Sequence, residues 1–329
     1  MAGPIGIIAN PASGKDVRRL VARASVFDNQ EKQAIVRRLL LGALATGAEE
    51  VRFLDDAHGI VRGALEDLPR RLNAQPVDAT QTGTALDTIS AARAMEDVGC
   101  AVVVSLGGDG TNRAVALGWR SVPLLPLSTG TNNVFPVIAE ATVAGMATGL
   151  IASGRIRLRR VAEACKVIEL KVEDEREDLA LIDAVLSAEQ FVGARALLDA
   201  NALRQLLLTR ADPSAVGMTS VGGLLKPMPD SVDAGLQLTL NAHSPRARTL
   251  HAPIAPGLLT DVAVDSCRQI PLGKAVQWRG PGVLAFDGER ERVIAEDQQV
   301  ELTVERNGPR VIDVNAALTY AAEKRLLAG

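Results

Sequence analysis

The chain is poor in aromatic residues: 2% of its 329 positions are Phe, Trp or Tyr. That scarcity argues against a base-stacking surface of the kind that grips single-stranded nucleic acid. Net charge is also small. Lys and Arg number 36 against 39 Asp and Glu, a balance of −3, so no broad field attracts polyanions or anionic membranes. Cysteine occurs three times, at Cys100, Cys165 and Cys267, without metal-ligand spacing. Reduced structural thiols and a cytoplasmic setting are expected. No apolar run is long enough to span a bilayer, and Met1-Ala2-Gly3-Pro4-Ile5 lacks the basic start of a signal peptide. Nucleic acid and stable membrane insertion are therefore not expected.

Apolar residues nevertheless make up 47% of the chain, drawn mainly from Ala, Val, Leu and Ile. At this length they suffice for two domains and a sizeable core. The chain is organised around Leu106-Gly107-Gly108-Asp109-Gly110-Thr111. The β-branched run Val102-Val103-Val104 before it reads as a buried parallel strand, and Asn112-Arg113-Ala114-Val115 after it opens a helix. Glycines there allow φ > 0 and a close approach of backbone N–H groups to an anion, and the helix adds its positive end. Asp109 amid such donors is repulsive to phosphate unless it meets a metal, a proton or a hydroxyl, which are the needs of phosphoryl transfer. The alternative is a tight turn with Asp as a helix cap.

Strands alternate with helices through the first half. Ile5-Gly6-Ile7-Ile8-Ala9 is a strand that ends in Asn10-Pro11-Ala12-Ser13-Gly14-Lys15, either a phosphate-holding loop or an ordinary turn. A helix around residues 32–41 stops at Gly47, a strand covers 50–54, helix 59–72 precedes a strand near 76–80, and helix 84–98 leads to the central strand. Strand 122–127 is followed by the polar loop Ser128-Thr129-Gly130-Thr131-Asn132-Asn133, and helix 140–151 closes this half. Such alternation implies a parallel sheet covered on both faces, with ligands beyond the carboxyl ends of its strands.

From Gly154 the pattern becomes two-residue alternation, implying antiparallel β structure. Residues 155–161 and 166–173 read as half-exposed strands, and Arg155, Arg157, Arg159 and Arg160 as a solvated face or a wall for an anionic substrate. Residues 197–210 read as an inserted helix. Further strands are expected at 236–240, 262–264, 275–278, 283–286 and 300–304, and a terminal helix at 316–327.

The order of motifs resembles the superfamily of NAD kinases and diacylglycerol or sphingosine kinases. Asn10-Pro11-Ala12-Ser13-Gly14 is similar to the Asn-Pro-x-Ser-Gly opening of its lipid kinases, and Gly130-Thr131-Asn132-Asn133 to their Gly-Thr-x-Asn-Asp loop, with Asn133 where Asp is common. Asp287-Gly288-Glu289 resembles their late Asp-Gly-Glu motif. Thr219-Ser220-Val221-Gly222-Gly223 and Pro253-Ile254-Ala255-Pro256 resemble NAD-kinase segments. The Asn-acid pair of NAD kinases falls at Ile182-Asp183, so the amide is replaced. The blend most resembles the NAD-kinase-like acetoin catabolism protein X type.

The resemblance implies an N-terminal Rossmann-like α/β domain over residues 1–152, a β-rich, sandwich-like acceptor domain over 153–315, and a helix over 316–329 that returns to the first domain. It implies an ATP-dependent kinase acting on a hydroxyl of NAD or a related nucleotide, as in NADP biosynthesis, with ATP or polyphosphate and Mg²⁺. Asp109 would be catalytic. Asn10, Ser13, Gly107, Gly108, Gly110, Thr111, Thr131, Asn132 and Asn133 would hold nucleotide and phosphate. Asp183, Gly222 and Gly223 would touch the acceptor, and Asp287 and Glu289 would serve as metal ligand or base, with no metal ligand firmly assigned. A lipid kinase and a non-catalytic nucleotide-binding regulator are the alternatives. Related kinases commonly assemble as homo-oligomers, so one is expected here.

Overall fold

The computed structural model describes residues 2–14, 28–66, 68–69, 72–129, 133–173, 177–189 and 199–327. Strands β1 (Ile5–Ala9), β2 (Glu50–Phe53), β3 (Asn73–Pro76), β4 (Val102–Gly107) and β5 (Pro123–Ser128) alternate with helices α1 (Asn29–Ala45), α2 (Ile60–Leu65), α3 (Ala85–Asp97), α4 (Asp109–Gly118) and α5 (Ala141–Ala152). Then come β6 (Ala162–Ala164), β7 (Val167–Val172), β8 (Asp178–Ala180), β9 (Asp183–Ser187), β10 (Leu203–Leu208) and helix α6 (Met218–Leu225). Strands β11 (Ala234–Leu240), β12 (Arg248–Ala255), β13 (Leu258–Pro271), β14 (Val276–Arg279), β15 (Gly282–Phe286), β16 (Glu289–Ile294), β17 (Gln299–Glu305) and β18 (Arg310–Ile312) precede the last helix, α7 (Val314–Glu323).

The first sheet has the order β3-β2-β1-β4-β5-β18-β6 and is parallel except for β6. Both of its faces are buried, and β4 shows how: Val102, Val104 and Leu106 enter one core cluster and Val103 the other. This is the two-residue period of a strand covered on both sides. The chain leaves this sheet after β6 and returns to it at β18. Helix α7 follows and buries Ala317 and Ala321 in the core shared with α1 and α5. The remaining strands form two antiparallel sheets, β12-β13-β11-β10-β9-β15-β16 and β14-β17-β7-β8. Their facing apolar residues, among them Leu186, Leu207, Phe286, Leu170 and Leu302, form one sandwich core. The expected α/β plus antiparallel β architecture is therefore the observed one.

Several elements differ from expectation. Residues 155–161 contain no strand; Leu158–Arg160 is a single 3₁₀ turn. Ile156 is fully buried in the first core, while Arg155, Arg157, Arg159 and Arg160 stay exposed, so one short turn reproduces the alternation of a strand. The expected helix over 197–210 is a short 3₁₀ turn at Ala200–Ala202 followed by β10. Leu203, Leu206 and Leu207 have helical spacing, but the segment lies between β9 and β11, and ladder pairing overrides the local pattern. Helix α2 ends at Leu65, and β3 begins at Asn73, earlier than expected.

Helices α1 and α5 approach closely through glycines. A Cβ on Gly145 would lie 1.9 Å from the Leu39 carbonyl oxygen, and one on Gly149 would lie 2.4 Å from that of Ala43. Both contacts are to backbone, which cannot swing aside. Gly145→Ala is expected to destabilise the protein by about 1–3 kcal/mol through overpacking, measured as a lower midpoint in urea unfolding. An unchanged midpoint would show that the two helices can separate freely.

Candidate functional site

Asp109 occupies the first turn of α4, directly beyond the carboxyl end of β4, and is half-buried. Its Oδ1 accepts from the Phe135 N–H at 2.8 Å, and Oδ1 and Oδ2 both lie 3.1 Å from the Val134 N. The carboxylate is thus fixed by the loop that leaves the neighbouring strand β5, as well as by the positive end of its own helix.

The glycines around it do not adopt the positive φ expected of them. Gly108 is extended, with φ −98° and ψ −167°, and neither Gly107 nor Gly110 takes a positive φ. Crowding is the reason the first two are glycine. A Cβ on Gly107 would lie 2.5 Å from the Thr111 side chain, and one on Gly108 would lie 2.7 Å from Asn133 Oδ1. Their value is close approach rather than unusual dihedrals.

Three loops at the carboxyl edge are stitched together by side chains. Asn10 Nδ2 donates to Thr111 Oγ1 at 2.8 Å. Ser13 Oγ and Thr129 Oγ1 share a hydrogen bond of 2.8 Å. Asn133 Nδ2 donates to Ser128 Oγ at 3.0 Å. Asn10, Ser13, Thr111 and Asn133 therefore meet around the turn that carries Asp109. Thr131 and Asn132 lie outside the described residues, as does the side chain of Glu289.

Lys32, which sequence reasoning missed, anchors the first of these loops. It is fully buried, and its Nζ donates to the carbonyls of Ser13 (2.7 Å), Asn10 (2.8 Å) and Pro11 (3.3 Å) and to Asn29 Oδ1 (3.1 Å). Nothing local separates it from a solvated helical lysine; only the return of α1 against the loop reveals its role.

The β-rich lobe contributes a second carboxylate. Asp287 is buried, with φ +50°. Its Oδ1 accepts from Ile182 N at 2.7 Å and Asp183 N at 3.3 Å, and both of its oxygens lie 3.0 Å from Leu181 N. In return the Asp287 N–H donates to the Asp183 carbonyl at 3.0 Å, and Gly288 N–H donates to Asp183 Oδ1 at 3.3 Å. Both oxygens of Asp287 are turned to backbone amides, which fix the turn from Leu181 to Asp183. Asp183, expected among the acceptor contacts, is buried in the same reciprocal lock. Burial pushes the Asp287 carboxyl up to about 7, and the charge of Asp109 pushes the same way. Arg113 and the amides of Leu181 and Ile182 oppose them. The two carboxylates, one from each lobe, are thus close enough to feel each other.

Arg113, one turn into α4, joins the lobes. It donates to the Leu179 carbonyl at 2.6 Å and to Asp178 Oδ1 at 2.8 Å, while Arg292 takes Asp178 Oδ2 at 2.7 Å. Both guanidiniums lie over the Phe286 ring, at 5.1 and 5.9 Å. Gly222 and Gly223 lie in α6, where a Cβ would meet Leu208 at 2.4 Å and the Asp212 backbone at 2.3 Å. They are buried, close-packing positions.

Among the described residues no group of three or more His, Cys, Asp or Glu side chains is placed to hold a metal ion. No helix among them is long and apolar enough to cross a membrane.

Comparison with known families and proteins agrees with this geometry. Residues 5–156 match the ATP-NAD kinase N-terminal domain, and residues 166–307 match the acetoin catabolism protein X C-terminal domain. Acetoin catabolism protein X of Cupriavidus necator is 38% identical over 339 aligned residues, covering 99% of this chain and 94% of that protein. An uncharacterized protein of Archaeoglobus fulgidus is 28% identical over 136 residues, covering 41% of this chain and 36% of that protein. Among solved structures, yeast NADH kinase complexed with NADH superposes with a TM-score of 0.53 at 14% identity, covering 98% of this chain and 87% of that one. That likeness is one of fold.

Two outcomes follow from the geometry. Lys32→Met takes a charged donor from the carbonyls of Asn10, Pro11 and Ser13 and is expected to cost about 1–3 kcal/mol, read by urea unfolding; an unchanged stability would show that the loop holds itself. Asp287 has a folded pKa of about 7, raised above its ordinary 3.8. Its contribution to stability is therefore complete below pH 3.8 and is lost as pH rises through 7. Asp287→Asn should flatten the stability profile between pH 4 and 8, and an equally sloped profile in the variant would assign the slope to other groups.

Proposed function

We propose that this chain, which belongs to the acetoin catabolism protein X family, is an NAD-kinase-like phosphotransferase acting on an alcohol group. The observation that carries the reading is the fixed carboxylate of Asp109. It sits at a helix N-terminus beyond the carboxyl end of a central parallel strand, where such sheets bind ligands. In this reading the acceptor hydroxyl faces Asp109, which orients it and takes its proton as the phosphoryl group transfers. The free N–H groups of the first turn of α4 and the stitched loops of Asn10, Ser13 and Asn133 hold the donor's phosphates.

ATP or polyphosphate is the donor proposed, with Mg²⁺. The residues fit Mg²⁺ in its usual mode with nucleotides, in which phosphate oxygens and water supply most ligands. Asp109, which is half-buried, is the carboxylate placed to join them, whereas Asp287 is buried. When bound, the ion neutralises charge on the phosphates.

The acceptor proposed is NAD or a related nucleotide. Yeast NADH kinase, the structural neighbour, was solved with NADH. One observation argues for a relative of NAD over NAD itself. The Ile182 side chain is fully buried in the core with Val115 and Leu181, so the position offers a ligand no hydrogen bond. The same observation supports a second reading, a nucleotide-binding regulator without transfer activity.

The test is incubation of the purified chain with ATP or polyphosphate and Mg²⁺ against NAD, NADH, other nucleotides and a lipid panel, followed by mass spectrometry of the products. Phosphorylation of a nucleotide hydroxyl is expected, and Asp109→Asn should lower it by about 10²–10⁴-fold in a chain that circular dichroism shows to be folded. Undiminished turnover in Asp109→Asn would remove this residue from the chemistry. Nucleotide binding without transfer to any acceptor would establish the regulator instead, and transfer to lipid would make the chain a lipid kinase.

A further inference from the structure

A cavity of about 340 Å³ lies beside the ends of β5 and β18, at the same carboxyl edge that carries Asp109. It contains none of the residues of the glycine turn. Three guanidiniums line it: Arg159 and Arg160 from the 3₁₀ turn of the first lobe, and Arg210 from the end of β10 in the second. None of the three has a side-chain hydrogen bond or an ion pair to a described residue. Arg210 lies 5.7 Å from the centre of the Phe135 ring, and its buried Nε has no hydrogen-bond partner.

Three carboxylates, Glu163, Asp230 and Asp313, also line the cavity, and none of them forms an ion pair with the three arginines. Asp230 is 3.4 Å from Arg306, and Asp313 caps α7 by accepting from Ala316 N–H at 2.9 Å. Asp230 Oδ1 is buried without a hydrogen-bond partner among the described residues, and Glu163 is exposed. Three guanidiniums around one cavity, none with an ion pair or side-chain hydrogen bond of its own to a described residue, favour a group of negatively charged oxygens.

We propose that this cavity binds a compact oxyanion, the phosphate or carboxylate group of a small metabolite, between Arg159, Arg160 and Arg210. The volume falls at the lower end of the range for small-molecule sites, which suits a small anion and not an extended dinucleotide. Phe135 lies between this site and Asp109: its N–H holds the Asp109 carboxylate at 2.8 Å while its ring lies under Arg210. The site stands independently of the kinase reading, because it uses other residues.

The test is isothermal titration of the full chain, without nucleotide, with inorganic phosphate and separately with succinate. The same titrations are run on Arg159→Gln/Arg160→Gln and on Thr111→Val. Both arginines are exposed, so the double variant should melt as the parent does. Binding of at least one anion is expected, weakened by about tenfold or more in the double variant and little changed in Thr111→Val. Which anion binds separates a phosphate site from a carboxylate site. Absence of binding by both anions overturns the proposal, as does binding that survives in the double variant. Loss in Thr111→Val alone would place the anion on the glycine turn and equally overturn it.

Discussion

The structure turns on holding one negative charge at a place built for other negative charges. Asp109 sits where helix N–H groups point outward, the position that suits phosphate. The helix end alone stabilises a carboxylate by about 0.3–1 kcal/mol at an exposed site. The amides of Val134 and Phe135 add charge-assisted hydrogen bonds, each worth roughly 1.5–3 kcal/mol. The clasp from the neighbouring strand therefore outweighs the dipole in fixing this side chain. It also explains the crowding around the turn. A carboxylate gripped by the next loop brings that loop against Gly108, where the end of the Asn133 side chain lies 2.7 Å from the place of a Cβ.

The same economy of position joins the lobes. Helix α4 begins with Asp109 and, four residues on, carries Arg113, which reaches across to β8. Asp178 is shared by Arg113 and Arg292, with all three side chains mostly shielded. Removing the acid from such a trio would leave two cations facing each other in a poorly solvated place, which is costly. The site is thus organised so that the helix presenting the candidate catalytic group also sets the distance between the two halves. Asp287 completes the arrangement from the other side, its carboxyl clamped to three consecutive amides near the charge of Asp109.

Much of this was legible in the sequence, for physical reasons. Val102-Val103-Val104 before a glycine-rich turn announces a buried parallel strand, because a strand covered on both faces has no polar side to show. The later alternating runs announce antiparallel sheets for the converse reason. What was hidden depended on partners distant in the chain. Lys32 looks like any lysine on a helix until the loop of Asn10 to Ser13 folds over it. Leu203, Leu206 and Leu207 have the spacing of a helix, and only the two strands that flank them make them a strand. Gly222 and Gly223 carry the look of a ligand motif, yet their missing side chains make room for Leu208 and the Asp212 backbone. One cue was available and went unused: in a chain so short of aromatics, Phe135 and Phe286 each stand beside a site motif, and each lies under at least one arginine.

The replacement of an amide side chain by Ile182 is best understood through the same geometry. The turn at Leu181 to Asp183 needs no side chain at this position to keep its shape, because Asp287 gathers its three N–H groups and Thr209 donates to the Leu181 carbonyl at 2.8 Å. Ile182 is free to join the apolar cluster beneath, and it does so completely. The backbone scaffold of the site is therefore preserved while one ligand-facing group is withdrawn from it. Loss of a buried hydrogen-bonding group discriminates strongly between ligands, since the unmatched polar atom must then be desolvated without compensation. The shape of this turn is therefore set by Asp287 and Thr209, and the side chain at position 182 can change without moving the backbone around it.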